Sequence, residues 1–163
     1  MQHVPRYGLA ALAGWMGGFL GNGVLGAIYS LAPVQRLLYD PERQSRLFIE
    51  LTPTRDMPVS VAGLILLSAV HGLLYARLHP ALPGRDWRVR GFAWGTCIWA
   101  MYWVFQEWFI YRTLLLEPWS LVAFELLVLL SGALLEGLVI AFVIERWGLR
   151  TVASPRAPSG SAA

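Results

Sequence analysis

PWSLVAFELLVLLSGALLEGLVIAFVI, residues 118–144, decides the fold. It is longer than the roughly 20 residues that cross a hydrocarbon core about 30 Å thick in helical conformation. Only two groups in it ionise, Glu125 and Glu136. A barrel strand would be about ten residues long with strictly alternating polarity, and this run has neither property. It reads as a transmembrane helix. Both of its acids are functional-site candidates, because a carboxyl group in lipid is costly to keep.

Three more runs of this kind precede it: GLAALAGWMGGFLGNGVLGAIYS (8–30), PVSVAGLILLSAVHGLLYARL (58–78) and GFAWGTCIWAMYWVFQEWFIYRTLLL (91–116). The expected fold is all-α, a four-transmembrane-helix bundle forming one domain over residues 1–150. The first run follows Arg6 but is long, carries Asn22 and lacks a small-x-small cleavage site before Pro33, so it is expected to stay as a helix rather than leave as a signal peptide. Pro58 and Pro118 suit the first turn of a helix, where a missing N–H costs nothing. In the first outer loop Asp40 and Pro41 suit N-cap and N1 positions. The following RQSRLFIEL reads as a short interfacial helix with Leu47, Phe48 and Leu51 toward lipid. Residues 151–163, small, polar and proline-containing, are expected to be a disordered tail.

Composition agrees. Of 163 residues 56% are hydrophobic and 14% charged, with mean hydropathy +0.53, against about 25% charged in a soluble domain. All 13 basic residues are arginine and the net charge is +3. The charges crowd into short stretches, which makes them a topology signal and argues against a nucleic-acid surface. With four spans, the side carrying both termini and the 79–90 loop holds eight arginines against five on the other. That bias puts both termini in the cytoplasm of a bacterial inner membrane. One cysteine, Cys97, excludes an intrachain disulfide and a cysteine-based metal site.

Depth and face sort the polar groups. Counting from the 116–118 turn sets Glu107 and Glu125 each roughly 13 Å along its helix, with Asn22 and Gln106 at a similar level, an outer polar layer. His71, Thr96 and Glu136 lie roughly 9 to 14 Å from the inner end, a second layer. Residues 11 apart share a helix face. Glu125 and Glu136 form one such stripe, Ser60 and His71 another, and Thr96 and Glu107 a third with Ala100 and Trp103 on it. Trp15, Gly18 and Asn22 make a fourth. Stripes of this kind turn inward, since lipid offers no hydrogen-bond partner, and a bundle with the four facing one another is the expected arrangement. Gly14, Gly17, Gly18 and Gly21 form small-xxx-small patterns that allow close helix contact, either within the chain against a bulky neighbour such as run three or between two copies. Trp103, Trp108, Tyr111 and Trp119 resemble an outer aromatic belt, and Trp87, Trp94 and Trp147 an inner one.

The Glu-x-x-His signature of di-metal bundles is absent, and no nucleophile elbow, P-loop or zinc motif occurs. No metal site and no cofactor are expected, haem or pigment ligation by His71 being the one cofactor alternative. The segment HGLLYARLHPALPGRDWRVRGFAWGTCIWAMYW, residues 71–103, resembles several uncharacterised small bacterial four-helix membrane proteins. The resemblance implies membership of such a class and no particular activity. Three functions follow from the residues. The first is a subunit that binds a hydrophobic ligand or serves as accessory to a larger membrane complex, with the lipid bilayer and further protein chains as partners. The second is a proton-coupled carrier working as a homo-oligomer with Glu125 or Glu136 as the titrating acid. The third is an intramembrane enzyme acting on a lipid or isoprenoid through His71 and the glutamates.

Overall fold

The computed structural model describes residues 4–45 and 56–147, and every described element is helical. Helix α1 covers Val4–Tyr29 and α2 Ala32–Leu38. Helix α3 covers Met57–Leu78 and runs into a single 3₁₀ turn at His79–Ala81. Helix α4 begins as an α-helix over Trp87–Ile98 and continues with π-winding over Trp99–Trp103 and again over Gln106–Leu114. Helix α5 covers Trp119–Phe142 and ends in a π-wound turn, Val143–Trp147. Three stretches are long and apolar enough to cross a membrane, Tyr7–Tyr29, Met57–Ala81 and Trp119–Trp147. The 91–116 run is helical throughout most of its length but changes winding twice, so it does not read as one uniform α-helix.

Local chemistry accounts for the ends. Asp56 caps α3, its Oδ1 accepting from the Val59 N–H at 3.1 Å, with Pro58 in the first turn. Pro118 stands one place earlier than expected, as the N-cap of α5. Helix α2 is too short for a periodic signal, and Pro33 near its start is its only sequence marker. Asp40 makes a tight turn instead of capping a helix: its Oδ1 accepts from the Glu42 N–H at 3.0 Å and its carboxylate pairs with Arg43 at 3.3 Å. The rest of the expected interfacial helix, from Arg46 through Leu51, and the 151–163 tail lie outside the described residues.

The helices line up in the order α3–α1–α5–α4, with extensive contact between successive members. Helices α3 and α4 make no more than glancing contact among the described residues. The result is an arc, where the sequence pattern pointed to a ring of four facing stripes. Glycine sets the close approaches. A Cβ on Gly14 would run into the Ser68 carbonyl of α3, and one on Gly21 would lie 2.7 Å from the Gly132 carbonyl of α5. Thus α1 packs within the chain, but against α3 and α5 rather than the helix of run three, meeting small residues (Ser68, Gly72, Gly132) and, at Gly17, the larger Glu136 and Ile140. Between α4 and α5 a Cβ on Gly91 would stand 2.9 Å from the Leu138 Cα, and one on Gly95 2.7 Å from the Leu134 Cα. Without a hydrophobic drive between helices in lipid, such van der Waals contact is what holds them together.

The core lies in the α3–α5–α4 interior, where Tyr75, Trp94, Ile98, Ala133, Ile140 and Ala141 are buried together. Trp94, expected in an inner belt, belongs to this core, with its ring 6.0 Å from Tyr75. Trp99 ties α4 to α5 by donating from Nε1 to the Leu126 carbonyl at 2.8 Å. At the inner ends, Glu145 gathers three elements. Its Oε1 accepts from the Tyr75 hydroxyl at 2.5 Å and from Arg90 Nε at 2.8 Å, its Oε2 takes a second Arg90 bond, and Arg90 Nη1 donates to the Gly84 carbonyl at 2.9 Å.

In the outer turn Leu116 has φ 59°. A branched side chain in the left-handed region costs about 1–2 kcal/mol, and nothing repays it through burial, since Leu116 is exposed. Leu116→Gly is therefore expected to stabilise the protein by about 1 kcal/mol after the entropy cost of glycine. Chemical denaturation in mixed micelles checks this; an unchanged or lowered midpoint would sink it.

Candidate functional site

The gap between α3 and α4 leaves a cavity of about 440 Å³, within the range of small-ligand pockets. Each long helix contributes to it. Asn22 comes from α1, Ser60, Ser68 and His71 from α3, Tyr102, Trp103 and Gln106 from the π-wound part of α4, and Glu136 from α5. Leu64 and Leu67 supply apolar wall, and exposed Ser60 and Gly63 mark where the cavity opens.

At its floor His71 Nδ1 and Glu136 Oε1 are 2.8 Å apart, both side chains largely buried. This is the principal α3–α5 link, and the α1 glycines make room for it. A Cβ on Gly17 would come within 3.2 Å of Glu136 Cγ, and one on Gly21 within 3.4 Å of its Cβ. One on Gly18 would collide with Ser68 Oγ and stand 3.7 Å from Glu136 Oε1. The glycine pattern therefore serves two purposes at once, helix packing and housing an acid. Asn22 donates one N–H of its amide to the Gly18 carbonyl at 2.8 Å, which leaves its Oδ1 and the second N–H for the cavity. Trp103, expected in an outer belt, is a cavity wall.

Of the outer layer, Asn22 and Gln106 thus join His71 and Glu136, whereas Glu107 and Glu125 do not. Glu107 is 2% exposed and faces away from the cavity toward α5. Its carboxyl meets that of Glu125 at hydrogen-bonding range. Its Oε2 has no donor among the described residues. Glu117, in the turn above, is buried beside Ser45, and burial holds its carboxyl above the usual range. Thr96 is exposed and bonds to its own helix, Oγ1 to the Phe92 carbonyl at 2.9 Å. Ser68 and Tyr102 went unnoticed in the sequence; Ser68 stands one turn before His71 on the same face, a spacing that could have found it, whereas a tyrosine in an aromatic run carries no distinguishing signal.

An imidazole bonded to a carboxyl can hold or pass a proton or fix a polar head group. With Nδ1 engaged, Nε2 is left for a ligand. A carboxyl bonded to one ring nitrogen also orients metal-binding histidines, but among the described residues no group of three or more His, Cys, Asp or Glu gathers to hold a metal ion. Comparison with known proteins adds no family: no protein-family model, curated protein or solved structure matches the chain.

Proposed function

We propose that the protein is a four-span bacterial inner-membrane protein, with both termini cytoplasmic, that holds a hydrophobic or amphiphilic ligand in the cavity between α3 and α4. The fourth span in this reading is α4, whose apolar run continues through its π-wound part. The observation that carries the proposal is the convergence of Asn22, His71, Gln106 and Glu136, from four helices, on one cavity with apolar walls. Polar side chains in lipid face an interior or a water-filled space, and a mixed lining of this kind suits a molecule with a polar head and an apolar body. In a larger complex the same protein would act as a ligand-holding accessory subunit.

Gly63→Trp tests this. A Cβ at Gly63 meets nothing within 4 Å, so the substitution fills the cavity mouth without disturbing a helix contact. Mass spectrometry of lipids co-purified in mild detergent is expected to find one enriched species with the natural protein and at least a tenfold loss with Gly63→Trp. Equal lipid profiles would defeat the proposal.

A proton-coupled carrier is the second reading, favoured by the titratable His71–Glu136 pair at the cavity floor. It requires pH-dependent uptake into proteoliposomes that Glu136→Gln abolishes.

A further inference from the structure

The ligand's head group can be narrowed, on the condition that the cavity is the ligand site. We infer that it takes a single-chain amphiphile whose head is not anionic and donates hydrogen bonds, an alcohol or an amine.

The charge balance excludes anions first. Among the described residues Glu136 is the only carboxyl on the lining and His71 the only group there that gains a positive charge, and the two are bonded to each other. The imidazole is committed to that carboxyl, so it is not free to act as a countercharge for a ligand. Among the described residues no arginine lines the cavity. A carboxylate or phosphate head would therefore sit in a low-dielectric space without a countercharge, at a prohibitive desolvation cost.

Hydrogen-bond capacity then selects the donor. Asn22 offers its Oδ1 as an acceptor, its nitrogen donating one of two N–H bonds to the Gly18 carbonyl. Glu136 offers Oε2, since Oε1 faces His71. Both are acceptors, and an acceptor left unpaired in a buried site costs roughly 1–3 kcal/mol. A quinone or ketone head, which only accepts, leaves both unmet. A hydroxyl or amine meets them while Gln106 and Ser68 are able to satisfy a hydroxyl oxygen in return. The chain of the amphiphile is accommodated by Leu64, Leu67 and Trp103 and leaves through the α3–α4 gap, where Ser60 and Gly63 are exposed.

The test uses the full chain in non-ionic detergent with four probes: tetradecanol, tetradecylamine, tetradecanoate and decylubiquinone. Binding is read by native mass spectrometry. Tetradecanol and tetradecylamine are expected to bind at least tenfold more tightly than the other two. Asn22→Leu, which removes the Oδ1 acceptor and breaks only a bond within its own helix, is expected to weaken both by about tenfold while leaving thermal stability unchanged. Glu136→Gln is expected to weaken the amine more than the alcohol. Tetradecanoate or decylubiquinone binding as tightly as the alcohol would overturn the head-group assignment and leave the cavity reading standing. Failure of all four probes to bind, or binding unaffected by Gly63→Trp, would overturn both.

Discussion

Gly137→Leu is expected to part α4 from α5 and to cost about 3 kcal/mol, the upper end of what overpacking costs. At this position a side chain has nowhere to go. A Cβ would strike the Gly91 carbonyl and the Gly95 amide, and would stand 2.7 Å from the Gly95 Cα. All three are backbone atoms of the facing helix, so no rotamer change relieves the collision. The helices must move apart, and separation forfeits the van der Waals contact that holds membrane helices together. Gly63→Leu is the matched control: it adds the same side chain, also within a helix, where a Cβ meets nothing within 4 Å. Thermal unfolding in micelles, followed by circular dichroism, is expected to separate the two variants by many degrees. Equal melting curves would mean that the α4–α5 contact is not where the stability lies.

The second large effect belongs to Glu145. Glu145→Ala is expected to cost about 2 kcal/mol, between the values for surface and for buried ion pairs, because the pair is part-buried and the Tyr75 hydroxyl loses its acceptor as well. Arg90 keeps its link to the Gly84 carbonyl but loses both carboxylate bonds, and the fully buried Tyr75 hydroxyl loses its acceptor. Arg90→Ala is expected to cost a similar amount, and the double variant distinctly less than the sum, because each single change already breaks the shared contact. Additive losses in a denaturant-unfolding cycle would show that the two residues act separately.

The residues differ in how much of this was legible beforehand. The helical class followed from run length, and the suspicion that fell on Glu136 and His71 followed from depth: an acid and an imidazole at one level in apolar runs had good reason to meet. Their partners were harder to see. The Thr96–Glu107 stripe assumed that 11 residues make three turns, which holds for uniform α-winding. In α4 the winding changes to π between them, so the phase slips, and Thr96, Trp103 and Glu107 end on three different sides. Depth counting likewise put Gln106 and Glu107 in one layer, although neighbours on a helix point roughly 100° apart. One of them lines the cavity and the other is buried against α5. The Glu145 cluster was invisible for a different reason. Arg90 and Glu145 both sit at helix ends, where charges are common, and only the folded chain says which of them meet.

The glycine-lined faces of α1 invert the usual relation between side-chain size and constraint. Phe19, near the helix's middle, is 77% exposed, while Gly14, Gly17, Gly18 and Gly21 stand against the neighbouring helices with no side chain of their own. In a saturation library of this helix, exposed positions such as Leu12, Phe19 and Leu20 would accept most apolar replacements, while Trp15 would be held by its Nε1 bond to the Ile65 carbonyl. The positions that carry no side chain at all would hold almost all of the information.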